Sequence, residues 1–567
     1  MIKINKWVIG AFVLLATSPV TTFAQQELIK SKPVTEKKIA PNDWHQLDRA
    51  ETGYFGISLD KAYDFLKGRK SQQVVVAVID SGVDTLHDAL KPILWKNPGE
   101  IPGNGIDDDK NGYVDDVYGW NFLGGKDGRN VKEDSYEGAR VYWKLRNKFG
   151  DNMPDTNTLS GEAKEQAIEY LKAKEKVVDD VNPAETMMLE RLLPNLEKGD
   201  SIIARDLGKT EFDGNDLKGY KPVRPEARNA VAIYMNINQM NNTNDITNQQ
   251  ILDNLRGDIR KAASASTPPK DFRGEIVQDN YDDINDRYYG NPDVMAGTPS
   301  HGTHVSGIIG AIKKGDDGMR GIANNVRIMA IRAVPDGDEH DKDIANAIRY
   351  AVDNGAKVIS MSFGKGFSPE KKWVDDAVKY AATKDVLLVH AAGNDAKDID
   401  TEDNYPNAIF QNGAKAKNYI TVGASGDATN GGFTASFTNY GKNDVDVFAP
   451  GVNIYSTLPG GDKYGSMSGT SMAAPVVSGL AALILEYFPT LSAEQVKYVI
   501  EKSVSPEIEK VNLPGGDGKL VSLGDISRTG GEINAYNAVK LASTLKGERN
   551  AEKGILPKSK LKSRKRG

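Results

Sequence analysis

Four short apolar runs limit most strongly what this chain can fold into. They are VVVAVID (Val74 to Asp80), VRIMAIRAV (Val326 to Val334), AKVISMSFG (Ala356 to Gly364) and VLLVHAAGN (Val386 to Asn394). Each is nearly continuous in apolar residues, the pattern of strands buried on both faces. Helical patterns separate the later runs. In DIANAIRYAVDNG, Ile344, Ala347, Ile348 and Ala351 share one face and Gly355 supplies a stop. PEKKWVDDAVKYAATKD has the same design. This alternation predicts an α/β fold: a central, mainly parallel sheet flanked by helices, with active residues at the carboxyl ends of strands.

The rhythm breaks from Gly124 to Asp293, where the chain turns polar and charge-rich. SGEAKEQAIEYLKAKEKVVDD and TNQQILDNLRGDIRKAA read as helices, the first with a thin apolar stripe of Ile168 and Leu171. The expectation is an inserted helical subdomain, acting as a lid or a docking surface. AAPVVSGLAALILEYF (Ala473 to Phe488) contains Pro and Ser and reads as a buried core helix.

Residues 1–24 read as a secretory signal. Lys3 and Lys6 precede the apolar run Trp7 to Ala16, and Thr22 and Ala24 bracket Phe23 before a cleavage point after Ala24. The run is too short to span a bilayer, so export to the periplasm or beyond is expected, with no stable membrane span after cleavage. Residues 25–43 read as a linker and the basic residues 546–567 as a disordered tail. The chain has no cysteine, which excludes disulfides, thiolate zinc sites, a thiol nucleophile and lipid attachment through Cys. A net charge of -6 does not suggest a nucleic-acid partner.

Three motifs stand at the ends of these elements. DSGVD puts Asp80 at the close of the first strand. In SHGTHVSGIIGA, small residues after His301 let a helix pack tightly behind the imidazole. SGTSMAAPVV puts Ser471 at the start of a buried helix, where the partial positive charge and free N–H groups of the terminus favour a developing anion. Asp, His and Ser are what nucleophilic acyl transfer needs; singly they are more often a turn former, a packed residue and an N-cap.

Together, VIDSGVD, HGTHVSG and GTSMAAP resemble the three signature segments of the subtilisin-like serine proteases, and their order along the chain is that family's order. The resemblance extends to SMSFG (Ser360 to Gly364), AAGND (Ala391 to Asp395) and the pair Tyr405 and Pro406. It implies a subtilisin-like three-layer fold in two blocks, residues 44–123 and 294–545, around the insertion 124–293. It also implies a serine endopeptidase acting on polypeptide substrates through an acyl-enzyme intermediate. Ser471 would be the nucleophile, His301 the base, Asp80 its orienter and Asn394 the oxyanion donor. Ser362, Phe363, Gly364, Ala391, Ala392 and Gly393 would line the substrate. A restricted processing protease or exopeptidase, and a non-catalytic binding module on the same fold, are the alternatives. The span between Ala24 and the strand at Val74 is too short for a full inhibitory propeptide.

The remaining histidines carry weaker signals. HGTH lacks the i, i+4 spacing and intervening Glu of zinc peptidases, so His304 reads as a packed helix residue, and His390 as a core histidine. The run NGIDDDKNGYVDD (Asn104 to Asp116) places oxygen ligands at Asp107, Asp109, Asn111, the Tyr113 carbonyl, Asp115 and Asp116 around the turn-former Gly112. It opens like an EF-hand loop, and oxygen-only ligands favour structural Ca2+; a hydrated acidic turn is the alternative. The acidic loop Asp395 to Asn404 raises the expectation of a preference for basic residues before the cut.

Overall fold

The computed structural model describes residues 40–549, apart from 151–153, 210–211, 241–247, 298, 317, 427–431, 508 and 517. The signal reading of residues 1–24 lies outside the described residues, as does the tail from 550 onward. Within the tail's first residues, the Glu548 N–H donates to Gln495 Oε1 (3.0 Å) and Arg549 Nε pairs with Asp385 (3.1 Å). Among the described residues two compact units stand apart, one holding Asp180–Ala263, the other residues 42–179 and 264–549.

The larger unit is built on a sheet whose chain-order strands are β1 (Val74–Asp80), β2 (Gly119–Asn121), β3 (Val326–Arg332), β4 (Val358–Met361), β5 (Leu387–Ala391), β6 (Tyr419–Ser425) and β7 (Val447–Pro450). Across the sheet they run β7-β6-β5-β4-β1-β3-β2, all parallel. Two-residue strands Gly531–Glu532 and Ser505–Pro506 extend the β7 edge, the last antiparallel. Side chains alternate across the pleat. Ala77 and Ile79 of β1, Met329 and Ile331 of β3, and Ile359 and Met361 of β4 share one core with the helices Asp341–Asp353 and Lys371–Thr383. Val76 and Val78, also at 0% exposure, face the other way, and the helix Thr470–Tyr487 lies along β1 and β4 to β7. That helix is buried nearly throughout, as its apolar sequence predicts.

After β1 the chain adds β3 on one side, then returns to add β4 on the other. A parallel sheet opens a crevice at the carboxyl ends where its winding reverses, here the ends of β1 and β4.

The stretch 124–293 is not one inserted body. Only Asp180–Ala263 stands as a separate unit, its helices Pro183–Leu207, Pro225–Met240 and Asn248–Ala263 enclosing Leu196, Ile203, Phe212, Tyr234 and Leu255. Its two flanks belong to the larger unit. Asn121 and Asn291 exchange backbone bonds (3.0 and 3.1 Å) at the neck, and Val277 and Tyr289 join the sheet core. The helix Gly161–Lys174 buries Ala167, Tyr170 and Ala173, with Tyr170 on Tyr142 of the helix Glu137–Phe149. Ile168, expected inside, is 51% exposed. Small Ala residues flanking an aromatic gave too faint a stripe to read.

Candidate active site

Asp80 closes β1, in register with Arg332 of β3, and its side chain is buried. His301 stands in the first turn of the helix Ser300–Gly310. Its Nδ1 lies 2.8 Å from Asp80 Oδ1, which also accepts the Ser81 N–H at 2.7 Å. A carboxylate that accepts from Nδ1–H fixes the tautomer and leaves the Nε2 lone pair free to act as a base. The imidazole keeps 37% of its side-chain surface in solvent. The small residue after it is required: a Cβ on Gly302 would stand 2.1 Å from Gly82 O and 3.0 Å from Asp80 Cβ.

Ser471 is the second residue of the helix Thr470–Tyr487. Its Oγ donates to Ser362 O (3.1 Å), and Ser362 Oγ donates back to Ser471 O (2.9 Å). Among the described residues no hydrogen bond joins Ser471 to His301; such bonds commonly tighten only with substrate present. Asn394 Oδ1 accepts from the Thr470 N–H (2.8 Å) and hydroxyl (2.9 Å). The backbone donor fixes the amide's orientation and turns Nδ2 toward Ser471. A Cβ on Gly469 would stand 3.4 Å from Asn394 Nδ2 and 3.5 Å from Ser471 N, so glycine keeps open a space flanked by both donors.

Ser362, Phe363 and Gly364 continue β4 past its last paired residue, toward this space. Of the second segment, Ala391 and Ala392 are buried. Ala392 is closed to a substrate: its N–H goes to Val422 O (2.9 Å), its carbonyl to Asn404 (3.2 Å) and Asn439 (2.9 Å), and its methyl to a core with Phe433 and Phe448. Gly393, at φ 98°, leaves room for Asn439. Asn404 was missed in the sequence. Its Oδ1 lies within 3.3 Å of where Gly364 would carry a Cβ and 3.6 Å of that of Gly393, so a neutral amide joins the two segments. Two of the neighbouring acids are engaged elsewhere. Asp403 pairs with Lys172 and accepts from Tyr405 OH (2.9 Å), while Asp400 accepts from the backbone of Asn443 and Asp444.

His304 is fully buried with Nε2 3.1 Å from Gly465 O, and burial holds its imidazole down to about 3. His390 lies 2.7 Å from Phe363 O and is likewise lowered to about 4 by burial. Both pack as the sequence suggests.

The acidic run splits in two. Asp107 accepts from the N–H groups of Asn111 (3.1 Å) and Gly112 (2.9 Å), and Asp115 from those of Gly103, Asn104 and Gly105. These two carboxylates shape the loop instead of facing a common centre. Tyr113 sends its ring into an aromatic cluster with Trp120 and Tyr350. Asp109 and Asp116 do converge, joined by Glu100, each with an oxygen within 4.8 Å of the others. Asn97 and Asn111 point amide nitrogens between them: Asn97 Nδ2 reaches Asp109 (3.0 Å) and Asp116 (2.6 Å), and Asn111 Nδ2 reaches the same pair (3.2 and 3.0 Å). Burial pushes Asp116 up to about 7, against hydrogen bonds from Tyr350, Asn97 and Asn111. Hard oxygen donors crowded around amides that can turn their own oxygens inward suit a calcium-sized ion. No spacing rule ties Glu100 to the run, so the sequence did not expose it.

The model of the subtilase family matches residues 71–522. Among curated relatives, a thermophilic serine proteinase of Bacillus sp. (strain AK1) is 37% identical over 270 residues, 47% of this chain and 58% of the relative. The match therefore spans little more than half that relative's length. Thermitase of Thermoactinomyces vulgaris is 35% identical over 271 residues, 47% of this chain and 85% of thermitase. Subtilisin DY of Bacillus licheniformis is 40% identical over 201 residues, 35% of this chain and 67% of the relative.

Proposed function

The chain belongs to the subtilase family of serine peptidases, and from that premise we propose that it is an exported endopeptidase that cleaves polypeptides through Asp80, His301 and Ser471. The observation that carries this reading is the 2.8 Å Asp80–His301 contact, on a helix packed against the one that Ser471 begins, with Asn394 Nδ2 and Ser471 N flanking one open space. Ser471 Oγ attacks the scissile carbonyl while His301 Nε2 takes its proton. The carbonyl oxygen, becoming an oxyanion, moves between Asn394 Nδ2 and Ser471 N. His301, held by Asp80, then protonates the leaving amine, and the acyl-enzyme is hydrolysed by water activated at the same nitrogen.

Export rests on the signal-like residues 1–24; the secreted protein's first residue should be Gln25. Calcium is proposed at Glu100, Asp109 and Asp116, where it would neutralise the converging carboxylates and stiffen the loop, taking no part in bond cleavage.

The test is digestion of casein and of a blocked peptide library by wild type and Ser471→Ala. Internal cleavage by wild type and none by the variant is expected. Cleavage that survives Ser471→Ala, or release of terminal residues alone, overturns the reading.

A further inference from the structure

We propose that Glu137 is a positioning residue for the substrate-facing edge of the cleft, holding the segment Ser362–Lys365 through the buried ammonium of Lys365. Lys365 follows directly on Ser362, Phe363 and Gly364, and Ser362 exchanges hydrogen bonds with Ser471. Its side chain is 2% exposed. The ammonium lies 2.8 Å from Glu137 Oε2, 2.8 Å from Asp341 Oδ1 and 2.7 Å from Glu339 O. The ammonium thus meets three oxygens from two segments, while the Lys365 backbone pairs with Tyr405 in both directions at 2.9 Å. The segment is fixed at main chain and side chain alike.

Glu137 is itself over-determined. Arg140 grips both its oxygens (2.6 and 3.3 Å), and its own N–H donates to Asp338 Oδ2 (2.8 Å). Arg140 continues to the carbonyls of Asp338 (3.1 Å) and Glu339 (3.2 Å). The chain just before it pairs with the same loop: the Asp134 N–H donates to Asp336 O and the Asp336 N–H to Lys132 O, both at 2.9 Å. So residues 132–140, within the polar stretch 124–293, clamp the loop 336–341 and the end of β4 at once.

Energetics favour a geometric role. Desolvating an ammonium and a carboxylate offsets most of their attraction, and an apolar pair of similar volume commonly stabilises a core as well. What the charged pair adds is direction: one register in which every donor is met. Burial opposes the charged forms of both partners, yet each is held charged by its neighbours: Lys365 is raised, chiefly by Asp341 and Glu137, and Glu137 is lowered, chiefly by Arg140 and Lys365.

The proposal rests on the serine-peptidase reading, and the test separates the two. Wild type, Glu137→Gln, Glu137→Asp and the double variant Glu137→Met with Lys365→Met are compared on a tetrapeptide p-nitroanilide and a single-residue ester, with phenylmethanesulfonyl fluoride as a probe of Ser471. Wild type that resists the sulfonyl fluoride and cleaves neither substrate removes the peptidase reading, and this proposal with it. Otherwise Glu137→Gln should lose on the order of tenfold or more in kcat/KM on the tetrapeptide, mainly through KM. Loss on the ester should stay below about twofold, with similar labelling by the sulfonyl fluoride, and Glu137→Asp should recover part of the tetrapeptide loss. Equal losses on both substrates, or none, overturn the proposal. If Glu137→Gln does not fold, the double variant decides, since it removes both members of the pair together, while Asp341 keeps its bonds from Ser368 and Glu370 and Arg140 its bonds to the carbonyls of Asp338 and Glu339. A tetrapeptide-to-ester ratio unchanged from wild type in the folded double variant overturns it.

Discussion

The Tyr350 hydroxyl donates to Asp116 Oδ2 at 2.6 Å across 234 positions of sequence. This bond ties the acidic loop to the helix Asp341–Asp353, whose first residues are gripped by Arg273 and Asp279 of the second flank of the 124–293 stretch, while His340 just before it meets Asp134 of the first flank at 3.1 Å. The loop, the helix and the cleft edge therefore form one mechanical unit, and the loop's state should register in stability.

Calcium titration should raise the melting temperature, and a chelator should lower it. At a free ion concentration about 100-fold above Kd the gain is roughly 2.7 kcal/mol. Asp109→Asn or Glu100→Gln should abolish the calcium-dependent part, whereas Asp107→Asn, which loses only loop hydrogen bonds, should keep it. Scanning calorimetry with and without calcium decides; equal dependence in all three variants would sink the assignment to Glu100, Asp109 and Asp116.

Asn394→Ala should lower kcat by about 10² to 10³ with little change in KM, because its amide meets charge that exists only in the transition state. Steady-state kinetics on a peptide p-nitroanilide measure this. A rise confined to KM would place Asn394 in ground-state binding instead.

Removing residues 180–263 behind a flexible linker should leave a cooperative melt, while removing 124–293 should not. The longer deletion strips Asp279 from Lys342, Arg273 and Tyr289 from Asp343, and Glu137 from Lys365. Lys342 and Asp343 are both fully buried. Each broken buried pair costs about 3–5 kcal/mol against a total stability of about 5–15. Circular dichroism melts of the two deletions test this; a cooperative transition in the longer one would refute it.

Stability should fall as pH rises from 4.5 toward 8, in part through Glu532. Burial pushes this carboxyl up from 4.5 to about 8, where it accepts from the Ser425 hydroxyl at 2.5 Å. Between those values the folded chain holds a proton that the unfolded chain has released, so the contribution is full below 4.5 and lost as pH climbs through 8. Glu532→Gln should flatten the decline by an amount on the order of 3 kcal/mol. Urea melts at pH 5 and pH 8 for both proteins give the comparison; identical slopes would show that Glu532 does not titrate in this window.

Much of the site was legible in the chain. Asp80, His301 and Ser471 sit at the ends of strongly apolar elements, and short motifs around them demand glycine for reasons of close approach that the structure bears out at Gly302. The buried charges were not legible. Asp341, Lys342 and Asp343 look in sequence like an ordinary solvated helix start, and Glu100 like one acid in a turn.

Local pattern determined the parallel sheet, its flanking helices, the identity of the candidate catalytic residues and the polar interruption, because apolar period and turn chemistry act over a few residues. Tertiary structure alone decided which acids converge, that Asn404 joins the two candidate substrate segments, and that the flanks of the interruption belong to the core. Those outcomes depend on charges meeting across tens to hundreds of positions. Whether a carboxylate is solvated or buried against an ammonium is set by what the fold brings beside it, not by its neighbours in the chain.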